Sequence, residues 1–321
     1  MRKHLIFLEI FVAILPLCLH AQGDTVHVIK AFTKKNFVQP YVGTFNRTFL
    51  FDTKEPTDKV HELRFSPNSS AYAGVSINYK KLSVYLELSI PNTRKVNDQT
   101  GIKSLSLFAN YFKDRWGVTG FVSRNSGLLM YMPSMGMYGN RNDLNMFTIG
   151  TNFYKIFNGK NFSYVAANST SKLQTKSSGS FVIMATPLYR RMFSNESIIP
   201  SEQRRYHLNG TEMPSRSLQF YSLHCKPGYI YNLVFNKGKY FISPALYVGG
   251  GADWHIFKTD EEVHSAINAA SGYRGKLVTG INTANCYFTI EYLRDKTTTY
   301  LYKTNISNTY TEISCNFGVR F

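Results

Sequence analysis

The sequence predicts an all-β fold, a transmembrane antiparallel up-and-down β-barrel of about twelve strands with short turns at one end and long loops at the other. Three observations predict it. In the last thirteen residues, Thr309 to Phe321, one face carries Ile313, Cys315, Phe317, Val319 and Phe321 and the other Glu312, Ser314, Asn316, Gly318 and Arg320, the period-2 signature of a strand between two environments. The same alternation recurs along the chain between short polar turns. After the N-terminal leader, no stretch approaches the roughly 20 apolar residues of a membrane-spanning helix. A chain that crosses lipid without such helices must be a closed barrel, because only helices and barrels satisfy their backbone groups there.

The leader reads as a cleaved signal peptide over residues 1–21, with basic Arg2 and Lys3, an apolar stretch from Leu5 to Leu19, and small-residue cleavage after Ala21. Residues 22–35 read as a polar periplasmic lead-in and 36–321 as the barrel. Export to the cell outer membrane follows from the leader and the strand pattern. The net charge of +17 would suit nucleic acid, but an exported, aromatic-rich β chain argues against that partner. Outer-membrane lipids and the phosphates of lipopolysaccharide suit exposed Lys and Arg better. Cys225, Cys286 and Cys315 remain after the leader, an odd and scattered set that forms neither a disulfide framework nor a metal motif. No cofactor is expected.

The strands follow in order. Asn36 to Phe51 is the first, with Pro40 early in it. After a loop from Asp52 to Ser69, Ser70–Lys80 and Leu82–Ile90 form a hairpin over the tight turn Lys80-Lys81. Ile102–Phe112 and Arg115–Arg124 join at Lys113-Asp114. Asn125 to Asn145 is a Gly-, Met- and Asn-rich loop, then Met146–Phe157 is a strand. Asn158-Gly159-Lys160-Asn161 is a hairpin signal. Phe162 to Pro187 is a long interrupted β stretch and Leu188 to Arg216 a long polar loop. Ser217–Phe235 and Tyr240–Phe257 flank a turn at Asn236. Ser271–Asn282, Asn285–Thr298 and the terminal strand complete the set. Parity fixes the count. Reading Phe162–Pro187 as one bent strand puts every short turn on one side and every long loop on the other. Trp116 and Trp254 then fall at opposite membrane interfaces, as aromatic belts require. Phe317, Val319 and Phe321 form the aromatic-ended last strand that a barrel assembly machinery reads.

Several patches resemble a family of Gram-negative outer-membrane proteins, domain of unknown function 4421. They are Phe65-Ser66-Pro67-Asn68 with Gly74–Lys80, Phe157-Asn158 with Phe162-Ser163-Tyr164, Lys176–Phe181, and Pro227–Tyr231. The resemblance implies an outer-membrane barrel and carries over no catalytic residue.

On the lumen face, alternation places Glu87, Arg274, Lys276, Glu291, Glu312 and Arg320. Neighbouring strands let opposite charges pair; left unpaired they would form a selectivity ring. Arg190, Arg191, Arg204 and Arg205 in the long loop are candidates for lipid phosphates or an anionic solute. Ser222 and His224 share one face, as in lipid-cleaving barrels, but parity turns them inward and no third residue to orient the histidine can be named. Asp260, Glu261 and Glu262 read as a solvated turn rather than a calcium loop, and Gly249-Gly250-Gly251 as a place of close backbone approach. The expected function is a pore or channel for small solutes. The alternatives are an envelope interaction or assembly component with a filled lumen and, behind both, a lipid-active enzyme. A non-enzymatic role is the expectation.

Overall fold

A computed structural model describes residues 28–54, 60–90, 93, 103–133, 136–168, 171–199, 216–258, 263–301 and 304–321. The expected signal peptide at 1–21 and Arg204, Arg205, Asp260, Glu261 and Glu262 lie outside the described residues.

The strands are β1 (Ile29–Ala31), β2 (Phe37–Lys54), β3 (Val60–Pro67), β4 (Ala71–Tyr79), β5 (Leu82–Ser89), β6 (Lys103–Phe112), β7 (Trp116–Met132) and β8 (Met137–Ile156). After a short helix α1 (Tyr164–Asn168) come β9 (Lys172–Gln174), β10 (Ser178–Phe193), β11 (Ser217–Phe235), β12 (Tyr240–Lys258), β13 (Val263–Asn282), β14 (Cys286–Leu301) and β15 (Thr304–Arg320). All pairings are antiparallel, and β15 closes the ring on β2, from Thr304 opposite Thr53 to Arg320 opposite Phe37.

The ring changes size along its axis. At the end holding the tight turns and both ends of the described chain, the turn end, it has twelve strands: β2, β4 to β8, and β10 to β15. At the opposite, loop end the hairpin β5–β6 has stopped, and β3 pairs directly with β7 from Arg64–Tyr131 to Pro67–Leu128. That leaves β2, β3, β7, β8 and β10 to β15, a ring of ten. The switch sits on a bulge between Ser126 and Leu128. There Gly127 takes φ 76°, a left-handed conformation that a side chain resists. Below the bulge β7 pairs with β6; above it, with β3.

Outward faces are apolar and exposed. Leu82, Val84, Leu86 and Leu88 project from β5, and Phe288, Ile290 and Tyr292 from β14. Ile267 and Phe181 are 74% and 69% exposed, which a water-soluble surface of this extent would not tolerate. Trp116 lies tilted against Tyr111, ring centroids 5.6 Å apart, near the turn end. Trp254 lies 5.4 Å from Tyr221, itself 4.9 Å from Tyr189, further toward the loop end. The two tryptophans thus sit with tyrosines toward opposite ends of the wall.

Two expectations need correcting. Much of the predicted loops Asp52–Ser69, Asn125–Asn145 and Leu188–Arg216 is strand, namely β3, the upper parts of β7 and β8, and the end of β10. Their outward residues, such as Glu62, Arg64 and Arg191, are polar, so the wall there lacks the lipid-facing half of the alternation. Phe162–Pro187 is not one bent strand. Residues 162–174 leave the wall as α1 and β9, with Phe162, Tyr164, Ala166 and Ala167 buried in a helical rather than alternating pattern. Ser163 Oγ accepts the Ala166 amide at 3.2 Å and starts the helix. Parity survives because only β10 crosses.

Candidate functional site

The lumen is the one interior these elements build, and the ring size decides what fills it. Interior width grows with strand number, and about eight strands leave room only for side chains. In the ten-strand part, the inward faces meet. Phe49, Phe51, Leu63, Phe65, Leu128, Met130, Leu144, Met146, Leu218, Phe220 and Phe257 form one buried apolar cluster. Phe49 lies 5.3 Å from Phe51 and 5.5 Å from Phe220, both edge-on. Ile198 and Ile199, just past β10, fold back into this cluster and are fully buried. Arg141 on β8 holds that segment: its guanidinium pairs with Asp143 at 2.8 Å and donates to the carbonyls of Ser197 at 3.0 Å and Ile198 at 3.4 Å. This plug shuts the loop end.

In the twelve-strand part the walls stand further apart, leaving a chamber of about 620 Å³. It reaches the turn end, where Lys35, Lys80, Lys81, Lys113 and Lys172 line its mouth. The turn end is narrowed by α1, whose Tyr164 stacks on Phe112 at 4.8 Å. Beside it β1 pairs with β9, so part of the lead-in folds against the barrel. Tyrosines lie across glycines of adjacent strands to pack the wall. Tyr41 covers Gly74 and Tyr72 covers Gly43, so closely that a Cβ on either glycine would overlap the ring.

The chamber is charged. Lys276 Nζ meets Glu291 Oε1 at 2.8 Å across the β13–β14 ladder. Arg274 Nε meets Asp295 Oδ2 at 2.5 Å, and Lys226 Nζ reaches Asp295 Oδ1 at 3.0 Å. Glu312 accepts from the hydroxyls of Tyr72 and, at 2.8 Å, Tyr310. Glu87 accepts from Tyr41 at 3.3 Å. Arg47 donates to Ser123 Oγ at 3.2 Å and lies over the Tyr310 ring at 4.9 Å.

Of the lumen residues expected from sequence, Glu87, Arg274, Lys276, Glu291 and Glu312 line the chamber together. Arg320 points inward but belongs to the turn-end floor. It donates to the Thr283 carbonyl and, at 2.5 Å, to Asn282, with its guanidinium over Phe32. Arg190 and Arg191 are strand residues of β10, not loop residues. Arg190 faces the chamber, whereas Arg191 faces out, donating to Ser217 Oγ at 3.2 Å. Arg47, Lys226 and Asp295 line the chamber as well, and of these Asp295 is turned inward by the alternation counted forward from Tyr287. Gly249 and Gly251 fit the expected close approach: a Cβ on either would strike the carbonyls of Cys225 or Leu223.

Ser222 and His224 face inward, as parity requires, but the histidine does have a partner. His224 Nε2 meets Asp253 Oδ1 at 2.8 Å. Ser222 stands opposite Asp253 in the β11–β12 ladder. The carboxylate thus engages the histidine, while no hydrogen bond joins Ser222 to His224 among the described residues, the link a serine nucleophile needs.

A family profile described as a domain of unknown function, DUF4421, matches residues 24–321. No curated protein matches the chain. Among solved structures, the outer membrane protease OmpT from Escherichia coli is 9% identical with a TM-score of 0.40, over 91% of this chain and 98% of that one. An outer membrane channel from Pseudomonas putida F1 is 9% identical with a TM-score of 0.38, over 94% and 100%. The P. putida toluene transporter TodX is 7% identical with a TM-score of 0.27, over 88% and 90%. Likenesses this loose carry no inference; the fold rests on the strand pairing itself.

Proposed function

The chain belongs to the family of domain of unknown function 4421, and from that premise we propose that it is an outer-membrane barrel serving as a gated conduit for small solutes. The observation that carries this is the polar chamber, continuous with the basic mouth at the turn end and stopped at the other end by an apolar plug. By the usual arrangement of bacterial barrels, the turn end faces the periplasm. The closed plug makes the resting barrel silent, and the Ile198–Ile199 segment latched by Arg141 is the part able to move.

Conductance in planar bilayers tests this. Wild type should give no steps. A triple variant, Arg141→Ala with Ile198→Asn and Ile199→Asn, should give discrete steps. A folded triple variant that stays silent would sink the conduit and leave the second reading, a filled-lumen component of the envelope. The size of the plug favours that alternative. Lipid hydrolysis ranks behind both, since Ser222 and His224 face the lumen and no hydrogen bond joins them among the described residues. Outward Arg191, at the edge of the aromatic belt, suits a lipopolysaccharide phosphate. Phe317, Val319 and Phe321 suit recognition by a barrel assembly machinery.

A further inference from the structure

Beneath the plug, the blind end of the chamber holds two guanidiniums without carboxylate contacts. Arg190 makes no hydrogen bond or ion pair with any described residue, although it lines the chamber. Among the described residues, Arg47 has only Ser123 Oγ and the Tyr310 ring. The other basic groups on the chamber wall differ: Lys226 and Arg274 share Asp295, and Lys276 has Glu291. Nearby acids are already engaged, Glu87 and Glu312 by tyrosine hydroxyls and Asp253 by His224. The charges of Arg47 and Arg190 act on each other, and Asp253 and Asp295 act on Arg190 only from a distance. A charge removed from bulk water without a partner is costly, so this pair is an expensive arrangement for a wall with no ligand.

We propose that the blind end binds the anionic group of a small organic anion, a carboxylate or phosphate ester, between the Arg47 and Arg190 guanidiniums. The planar forks of two arginines match the oxygens of either group. The ligand's apolar body lies against Phe121 and Leu188, which line the same chamber. A volume of about 620 Å³ admits a small organic molecule. The lysines at the mouth raise the local concentration of anions and set their direction of entry. This inference rests on the chamber of the proposed conduit being reachable from its mouth, and not on passage through the plug.

The test is calorimetric titration of the full folded barrel in detergent with benzoate, phenyl phosphate, inorganic phosphate and, as a neutral counterpart, benzamide. Benzoate or phenyl phosphate should bind and benzamide should not. Binding of benzoate alone assigns the carboxylate; binding of phenyl phosphate with inorganic phosphate assigns the phosphate. Arg190→Gln should weaken binding at least tenfold, and adding Arg47→Gln should abolish it. The ligand-free Arg190→Gln barrel should melt no lower than wild type, because a merely structural arginine would take stability with it. A second measurement needs no variant: benzoate or phenyl phosphate should protect Arg47 and Arg190 of wild type from phenylglyoxal, read by mass spectrometry. The proposal is overturned if folded wild type binds none of the anions, or if the double variant binds undiminished. Binding with silent plug variants removes the conduit and keeps the site; conducting plug variants without binding do the reverse.

Discussion

Lys226 and Asp295 stand on β11 and β14, strands separated by two others, and still meet at 3.0 Å inside the lumen. Arg274, on β13 between them, meets the second oxygen of the same carboxylate. One acid therefore neutralises two bases and ties three strands of the wall together. Asp295→Asn should leave both bases without a counter-charge and cost about 2–4 kcal/mol, somewhat below a fully buried pair because these side chains are not fully buried. Lys226→Met should cost far less, since Arg274 keeps its partner. Urea unfolding in lipid vesicles measures both, and equal losses would contradict the shared-acid arrangement.

The change from twelve strands to ten depends on one backbone conformation. Gly127 has φ 76° at the bulge where β7 exchanges β6 for β3. Gly127→Ala should destabilise the barrel by about 1–3 kcal/mol, the range for a non-glycine residue forced into that region. Gly120→Ala, seven residues earlier on the same strand, is the control. A Cβ there meets nothing within 4 Å, and the change should be near neutral. Comparable losses at both positions would show that strand propensity, not the bulge, sets the cost.

Cys225 and Cys315 are free, exposed and outward. In the apolar band their thiols face hydrocarbon, where the reactive thiolate is disfavoured. A membrane-impermeant maleimide should leave both unlabelled in vesicles, while an apolar maleimide should label them. Urea should make both accessible to either reagent. Fast labelling of the folded barrel by the impermeant reagent would place these faces in water and contradict the membrane span.

The lipid-spanning wall was legible because burial there has two clear sides. Leu82, Val84, Leu86 and Leu88 are outward in the structure as the alternation requires, and Ser83, Tyr85 and Glu87 face in. The plug was not legible, because above the lipid both sides lose contrast: outward residues turn polar while Phe49, Leu128 and Met130 fill the inside. Met and Gly in Asn125–Asn145 looked like loop composition and are bulge and core. Lumen ion pairs were half visible. Neighbours on one ladder, Lys276 and Glu291, follow from register, whereas Lys226 with Asp295 depends on barrel curvature, which alternation does not encode. Composition groups Arg190 with the loop, because the pair Arg190-Arg191 hides that its members face opposite ways.

His255 supplies the last expectation. It lies inside β12, fully buried, with its ring 4.9 Å from Phe220 at the lower edge of the plug. Neither ring nitrogen has a hydrogen-bond partner among the described residues. A buried donor and acceptor left unmade cost on the order of 1–3 kcal/mol, and phenylalanine has nearly the same shape without either. His255→Phe should therefore stabilise the barrel by about 1–2 kcal/mol, and it should leave the closed barrel silent in bilayers because the plug stays packed. The same substitution in the Arg141, Ile198 and Ile199 triple variant should lower conductance, since a more apolar rim resists wetting. Loss of stability in His255→Phe, measured by urea unfolding beside wild type, would mean that the imidazole holds the plug through a polar contact rather than through its ring.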